Sequence, residues 1–440
     1  MKNLKLRLTV MNFLEFAVWG SYLVSMGIYL NSVGLGPEIF WFYTVQGLVS
    51  LFMPALVGIV ADRWIPAQKM LSLCHLIAGV FMLLAGWYCL TNTTIEFAPL
   101  FTLYTISVAF FMPTIGLSNS VAFNALTGAG LDTIKAFPPI RTFGTIGFIC
   151  SELFVNFTDF QSNCLQFVTC GAISILLCLY ALTLPACPVN KEGGSSLSET
   201  LGLNAFKLFK RKKMAIFFIF SMLLGVSLQI TNSYGTTFIS SFKDIAEYAT
   251  TWGAQNATAL TAISQASEAL CILLIPFCLR KFGIKGVMLM SMFAWVFRFG
   301  FFGIGDTGTG VIWLILSCIV YGVAFDFFNV SGGLFVDKET DPKLRSSAQG
   351  LFMIMTNGIG ASLGTWIAGQ FVINKLVFVH SDATAQLPGW RESWLIFAAY
   401  ALVVGILFFF IFKDKKTDGA KMPLPESADS EAPGMVDEQI

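Results

Sequence analysis

Seven polar or charged residues lie inside stretches of this chain that are otherwise apolar enough for the interior of a lipid bilayer. They are Arg141, Gln229, Asn232, Gln265, Glu268, Arg298 and Asp326. A charged side chain at membrane depth costs about 3 kcal/mol or more unless it faces a partner or a water-filled cavity. These residues are therefore candidates for the pathway of a solute or an ion, provided that they share one cavity.

Helical spacing places the candidates on common faces. Arg141, Thr145 and Phe148 fall at i, i+4 and i+7 of one helix, and Glu152 continues that face. Three further pairs share a face in the same way, namely Gln229 with Asn232, Gln265 with Glu268, and Tyr321 with Phe325, with Asp326 one step round from the last. Amide side chains both donate and accept hydrogen bonds, and aromatic rings stack on planar groups. The combination predicts a site for a polar organic solute.

Carboxylates within the apolar stretches are candidates for carrying protons, because a buried carboxyl group without a partner favours its neutral form. Glu268 and Asp326 are the first two. Glu15 and Glu152 are two more, and each has three alternatives open: pairing with a buried cation, taking up a proton, or facing water. Arg298 is expected to be a charge partner of Asp326 or Glu268 without solute contact.

Transmembrane helices are the elements that must position these side chains. The 440 residues are 55% hydrophobic and only 12% charged, which is the composition of a polytopic membrane protein. A helical span needs about 20 mostly apolar residues. Twelve such segments are predicted, at 8–32, 38–61, 69–91, 97–126, 138–158, 163–184, 214–241, 258–279, 286–304, 310–336, 346–374 and 391–412. The predicted fold class is therefore an all-α polytopic membrane protein.

The distribution of basic residues predicts the orientation. Most of the 27 Lys and Arg residues fall in alternate loops and in the two terminal segments. Cytoplasmic loops carry the excess of Lys and Arg. This predicts an even number of spans with both termini cytoplasmic.

The chain divides into two six-helix halves around a polar segment. We expect an N-terminal half at 1–184, a cytoplasmic central loop at 185–213, a C-terminal half at 214–412 and a disordered cytoplasmic tail at 413–440. Ser196 to Glu199 has the form of a helix-capping box. It precedes an apolar stripe of Leu201, Phe206 and Phe209. An amphipathic helix on the inner leaflet and a plain basic linker are equally good interpretations.

Several classes of protein are disfavoured. The 10 Cys and 2 His residues show no metal-ligand spacing, so neither a metal nor another cofactor is expected. No His/Asp or Ser/His pairing or phosphate-binding loop indicates an enzyme, and no soluble domain indicates a sensor with an output module. A channel is disfavoured because no re-entrant filter-like stretch occurs. Nothing points to nucleic-acid binding.

Loop motifs carry a resemblance to known transporters. The stretch GIVADR, with Gly58, Asp62 and Arg63, resembles the gate loop of the major facilitator superfamily, in which helices approach closely at the glycine and a charge pair forms and breaks. Four further stretches together resemble the nucleoside:H+ symporter family. They are FPPIRTFGTIGF at 137–148, LQITN at 228–232, SQASE at 264–268 and YGVAFDFFN at 321–329.

The resemblance implies a bacterial inner-membrane transporter of the major facilitator fold that imports nucleosides with protons and works as a monomer in the lipid bilayer. It also implies a binding and coupling set consisting of Arg141, Thr145, Phe148, Gln229, Asn232, Gln265, Glu268, Tyr321, Phe325 and Asp326. A sugar or oligosaccharide:cation symporter is the main alternative, since the glycine spacing after Arg141 also suits that relative. Coupling to sodium stays open, and a membrane-embedded sensor or enzyme is a remote alternative.

Overall fold

The computed structural model describes residues 3–187, 203–341 and 344–413, and no β-strand occurs among them. Eight helical stretches within this part of the chain are long and apolar enough to cross a membrane. One shorter apolar helix, Leu165–Ala181, accompanies them. The expected all-α fold class is therefore present.

Seven α-helices form an N-terminal group. They are α1 (Leu4–Gly20), α2 (Met26–Ser32), α3 (Ile39–Arg63), α4 (Ala67–Thr91), α5 (Phe97–Gly128), α6 (Thr133–Phe157) and α7 (Leu165–Ala181), with short 3-10 turns at Gly36–Glu38 and Phe160–Ser162. Helix α4 packs against α5 and α7, and α1 packs against α6. The predicted first span at 8–32 is interrupted, because turns at 21–25 separate α1 from α2.

Nine α-helices form a C-terminal group. They are α8 (Lys212–Ser241), α9 (Trp252–Gln255), α10 (Ala257–Cys271), α11 (Ile275–Ile304), α12 (Val311–Glu339), α13 (Arg345–Met353), α14 (Ala361–Ile367), α15 (Asn374–Leu376) and α16 (Ala383–Ile411). Helix α11 packs against α12 and α16, and α10 packs against α12. These contacts hold the helices that carry most of the predicted site residues.

Two local features of the C-terminal group were not expected. Gly283 has φ +71° and lies inside α11. Glycine adopts this left-handed conformation without a Cβ clash, so the chain reverses there between the predicted eighth and ninth spans. The predicted eleventh span contains two π-helical stretches, Ile354–Gly360 and Ala368–Ile373. Such widened turns are frequent at functional sites.

Glycines allow α1 and α6 to pack closely beside the predicted Arg141 face. A Cβ atom built on Gly147 would lie 2.1 Å from the carbonyl oxygen of Phe13, and one on Gly144 would lie 2.6 Å from the Phe16 ring. The glycines that follow Arg141 therefore set the distance between these two helices. They position the Arg141 side chain, whose guanidinium carbon lies 3.9 Å from the centre of the Phe16 ring.

Polar contacts join the two helix groups at the far side of the bundle, which is the side opposite the start of α1. Asn156 Nδ2 donates to Asn256 Oδ1 at 2.8 Å, and the Ala259 N–H donates to Asn156 Oδ1 at 3.0 Å. Asn374 Nδ2 donates to the carbonyl oxygen of Pro37 at 2.9 Å. Because these amides bridge α6 to α10 and the α2–α3 turn to α15, the far side is closed.

The central segment is described only from residue 203 onward. Leu203–Lys210 is a 3-10 helix, and Leu208 is its buried residue. Phe206 and Phe209 stack on each other, and Phe209 contacts Phe218 of α8. The start of the predicted amphipathic helix at Ser196 and its residue Leu201 lie outside the described residues.

We predict that Gly147→Ala destabilises the protein by about 1–3 kcal/mol, because the added methyl group meets a backbone carbonyl that cannot rotate away. The melting temperature of the purified protein measures the effect. Gly116→Ala is the matched control, since a Cβ atom on Gly116 meets no atom within 4 Å. A Gly147→Ala protein as stable as the Gly116→Ala protein would contradict the close packing of α1 and α6.

Candidate functional site

A polar cavity lies where α8, α10, α11 and α12 meet the turn between α1 and α2. Its lining consists of Val24, Thr231, Asn232, Thr236, Thr261, Ser264, Gln265, Arg298 and Tyr321. Four of these residues, Asn232, Gln265, Arg298 and Tyr321, were singled out in the sequence. The Oε1 atom of Gln265 is buried and has no hydrogen-bond partner in the described part of the chain. The cavity therefore offers an unused acceptor to a bound solute.

Arg298 is held by its own helix group. Its Nη1 donates to the carbonyl oxygen of Ser317 at 2.8 Å, and its guanidinium carbon lies 4.5 Å from the centre of the Tyr321 ring. The side chain is only 3% exposed. The expected pairing of Arg298 with Glu268 or Asp326 is absent from the described ion pairs, because the Ser317 carbonyl and the aromatic ring already hold the guanidinium. Its Nε–H has no partner among the described residues.

A second and mainly apolar cavity lies next to Phe325. Its lining consists of Leu224, Gly225, Leu228, Trp295, Ala324, Phe325, Phe328, Asn329, Thr356 and Asn357. Phe325 and Tyr321 stack with their ring centres 5.8 Å apart and their planes 6° from parallel. Tyr321 lines the first cavity, so this aromatic pair separates the two.

Arg141 and Glu268 attract each other electrostatically across the contact between α6 and α10. One residue belongs to the N-terminal group and the other to the C-terminal group. Arg141, Thr145 and Glu268 are all half-buried. This attraction depends on the relative position of the two helix groups, since it falls with distance.

Glu268 and Asp326 repel each other electrostatically. Asp326 is 5% exposed, and its Oδ2 atom has no hydrogen-bond partner in the described part of the chain. Ionisation of both a buried and a half-buried carboxyl group that repel each other is unfavourable. The pair is therefore suited to holding a proton.

Two other predicted residues face different neighbours. Gln229 Nε2 donates to Gln46 Oε1 at 3.4 Å, and Gln46 Nε2 donates to the Tyr104 hydroxyl at 2.7 Å. This chain links the two helix groups. The Phe148 ring packs edge-on against Trp19 at 6.3 Å. It is absent from the lining of both cavities.

Glu15 is satisfied within the N-terminal group. Its Oε2 lies 2.9 Å from His75 Nε2, and its Oε1 accepts from the Thr114 hydroxyl. The Ser174 hydroxyl donates to the His75 carbonyl, which leaves His75 Nδ1 as the donor to Ser174 Oγ. One proton is then shared between Glu15 and His75 Nε2. Glu15 therefore has a buried hydrogen-bonded partner, and the shared proton decides between the first two alternatives, pairing with a buried cation or carrying the proton itself.

Glu152 has a different environment. It is 0% exposed, its Oε1 lies 3.3 Å from the Thr261 hydroxyl, and its Oε2 has no partner in the described part of the chain. Thr261 lines the polar cavity. Glu152 is therefore a buried carboxyl group at the contact between the two helix groups.

The predicted gate loop is partly described. A Cβ atom on Gly58 would meet no atom within 4 Å, so the expected close helix approach at Gly58 is wrong for this conformation. The residue faces open space rather than a neighbouring helix. The side chain of Asp62 lies outside the described residues, and Arg63 ends α3.

Several lining residues were missed in the sequence. Thr261 and Ser264 share a helical face with Gln265 and Glu268, so the 3.6-residue period of polar side chains in α10 was a signal for them. Gln46, which hydrogen-bonds to Gln229, was also missed, although a polar residue in the apolar α3 stretch is the same signal that identified the other candidates.

Comparisons with known proteins agree with this geometry. The family model described as "Nucleoside H+ symporter" matches residues 1–417. The chain belongs to the nucleoside H+ symporter family. It is 45% identical to the xanthosine permease of Escherichia coli (strain K12) over 416 residues, which cover 93% of this chain and 96% of the permease. It is 44% identical to the nucleoside permease NupG of the same organism, covering 94% and 97% of the two chains.

Solved structures give the same assignment. A crystal structure of NupG aligns with a TM-score of 0.84 at 44% identity and covers 94% of this chain and 100% of NupG. A bacterial homologue of the lysosomal transporter Spinster aligns with a TM-score of 0.66 at 15% identity, covering 93% and 96% of the two chains, which shows a shared fold alone. The family resemblance inferred from the four motifs is confirmed. The relatives are permeases and not enzymes, as expected.

We predict that Glu15→Ala destabilises the protein by about 2–4 kcal/mol, because His75 and Thr114 lose their common buried partner. The melting temperature of the purified protein measures this change. Glu96→Ala removes an exposed carboxylate and is the control. Equal stability of the two variants would contradict the buried Glu15–His75 pair.

Proposed function

We propose that this protein is a secondary active transporter that imports nucleosides together with protons. The observation that carries the proposal is the polar cavity where α8, α10, α11 and α12 meet the turn between α1 and α2, which holds the unpartnered Oε1 of Gln265. Arg141 on α6 and Glu268 on α10 add opposite charges on two helices in contact, one from each helix group. Family membership supports the choice of nucleoside and proton.

The cavity has the groups that a nucleoside needs. Amides of Asn232 and Gln265 both donate and accept, which suits the ribose hydroxyls and the base edges. The stacked rings of Tyr321 and Phe325 offer an aromatic wall, and base–aromatic stacking contributes about 1–3 kcal/mol elsewhere. We assign Thr145 to the solute-facing side of α6, together with Arg141. Gln229 and Phe148 contact the nucleoside only after the two helix groups move relative to each other.

Coupling follows from the charges. Protonation of Glu268 or Asp326 relieves their mutual repulsion, and protonation of Glu268 also weakens its attraction to Arg141. The two helix groups are then free to rock about the cavity, as in transporters built from two related halves. One charge moving down a potential of 100 mV releases about 2.3 kcal/mol, which supports roughly 50-fold accumulation of a neutral solute.

The topology belongs to the same proposal. We infer twelve spans in two six-helix halves at 1–184 and 214–412, joined by the loop at 185–213, with both termini and the tail at 413–440 in the cytoplasm. The basic loops and the major facilitator-like relatives support this arrangement. The cytoplasmic membrane of a bacterium is the proposed location, and a monomer is the proposed functional unit. The closed far side is then the outer face.

Uptake in energised proteoliposomes tests the coupling. We predict that Glu268→Gln and Asp326→Asn each abolish proton-driven uridine accumulation and keep counterflow exchange, because exchange needs no net proton movement. Glu392→Gln removes an exposed carboxylate of α16 and serves as the control. Accumulation that survives in both the Glu268→Gln and the Asp326→Asn protein would overturn the assignment.

Ligand binding tests the site itself. We predict that Asn232→Ala and Gln265→Ala each weaken uridine or adenosine binding by about 1–2 kcal/mol, roughly 5–30-fold, since a nucleoside loses a buried hydrogen bond. Calorimetry on the purified protein measures the dissociation constants. Asn92→Ala, at an exposed helix end, is the control. Unchanged binding in both cavity variants would place the nucleoside elsewhere.

Competition separates the alternatives. Excess uridine or adenosine should block uptake of labelled nucleoside, and oligosaccharides should not. Replacement of sodium by choline should leave the uptake intact. Inhibition by a sugar, or dependence on sodium, would favour the sugar:cation or the sodium-coupled alternative respectively.

A further inference from the structure

Glu152 is a buried carboxyl group that the coupling scheme does not use, and unlike Glu15 it has an oxygen atom without a partner in the described part of the chain. It projects from α6 of the N-terminal group toward Thr261 on α10 of the C-terminal group. One turn further along α6, Asn156 bonds to Asn256 and to the Ala259 backbone, and the Gln161 side chain bonds to Gln255 and Thr258. Glu152 is therefore the innermost member of a row of polar contacts that closes the far side.

The hydrogen bonds of Thr261 determine which form of Glu152 fits. A hydroxyl has one proton and two lone pairs. The Thr261 hydroxyl lies 2.8 Å from the Thr258 carbonyl oxygen and 3.3 Å from Glu152 Oε1. The carbonyl can only accept, so it takes the hydroxyl proton at the shorter distance. While its proton is on the Thr258 carbonyl, Thr261 Oγ1 can still accept, so a protonated Glu152 can donate to it without disturbing that bond. An ionised Glu152 has to draw the hydroxyl proton away from Thr258.

The surroundings of the second carboxyl oxygen favour a neutral carboxyl group. The 3.3 Å contact with Thr261 is longer than an ordinary O–H···O bond of about 2.5–3.0 Å, so it gives an ionised carboxylate little stabilisation. An ionised Glu152 would also have to satisfy the lone pairs of Oε2, which is buried without a partner in the described part of the chain. Burial of such a charge is strongly unfavourable.

No ionisable neighbour supplies a partner for Glu152 Oε2 in the described part of the chain. Tyr321 and Cys318 of α12 lie close enough to interact electrostatically with Glu152, but neither is a cation. Arg298 on α11 is bonded to Ser317. The remaining ionisable groups on the helices packed against α6, and on α6 itself, are Lys5, Arg7 and Glu15 on α1, Tyr104 on α5, Glu268 and Cys271 on α10, and Lys135, Arg141 and Cys150 on α6. The described hydrogen bonds and ion pairs join none of them to Glu152.

We propose that Glu152 is a further proton-binding residue of the transport cycle, which holds the far side closed when it carries a proton and releases that side when it loses it. The protonated carboxyl group donates to Thr261 across the two helix groups. After loss of the proton, Thr261 can donate to the carboxylate only by giving up its bond to the Thr258 carbonyl, and the charge still lies in an apolar contact with Oε2 unpartnered in the described part of the chain. The groups then separate and water reaches the carboxylate. The inference rests on the proposed proton symport and adds a second proton site to it.

Distances between spin labels on the full-length protein test the proposal. Labels are attached at Phe157→Cys in α6 and Trp252→Cys in α9, two exposed positions at the far side, after Cys150→Ser removes the exposed native thiol. The protein with native Glu152 should show a larger population of long distances at pH 8.5 than at pH 5.5. Glu152→Gln mimics the protonated form and should keep the short distance at both pH values.

Two further variants keep the test decisive. Thr261→Val removes the acceptor, so the long-distance population should be enlarged at both pH values. Glu15→Gln changes the other buried carboxyl group of the N-terminal group and should retain the pH response. A Glu152→Gln protein that opens with pH like the protein with native Glu152, or a Glu15→Gln protein that loses the response, would overturn the proposal.

Uptake measurements separate this inference from the proposed function. Uridine transport by wild-type proteoliposomes is measured first, and its absence would reject the nucleoside assignment whatever the labels show. If wild type transports uridine, the proton-to-uridine ratio of Glu152→Gln should fall relative to wild type while uridine binding is kept. An unchanged ratio would reject Glu152 as a proton carrier and leave nucleoside transport standing.

Discussion

The whole structure depends on one constraint, which is that a polar group in an apolar helix bundle must find a partner or a cavity. Arg298 finds a carbonyl group and an aromatic ring. Glu15 finds His75 and Thr114. Gln265 Oε1, in the polar cavity, and Asp326 Oδ2 have no such partner in the described part of the chain, and we place the solute and the proton there.

The same constraint explains why both helix groups contribute. Arg141 comes from α6, and Glu268 comes from α10, so their attraction depends on how the groups are placed. Close packing of α1 and α6 at Gly147 keeps the N-terminal group rigid around Arg141. Rigid groups that meet through charges and amides can move relative to one another without disturbing either core. This is the mechanical requirement of alternating access.

Much of this arrangement was predictable from the sequence. Long apolar segments predicted the helices, and isolated polar residues predicted Asn232, Gln265 and Tyr321 as cavity residues. Local patterns could not predict contacts between distant helices. The partner of Glu15 is 60 residues away, and Gln46 lies 183 residues from Gln229. The sequence also could not predict the partner of Arg298. Several neighbouring groups can accept a hydrogen bond from a guanidinium, and the helix packing determines which one does.

The most direct test is an experimental structure of the protein with bound uridine. The account predicts that the nucleoside lies in the polar cavity between α8, α10 and α12, with its polar groups on Asn232 and Gln265 and its base against the Tyr321–Phe325 pair. Arg141 and Glu268 should border the same space. A uridine that contacts none of Asn232, Gln265, Tyr321 and Phe325 would contradict the account.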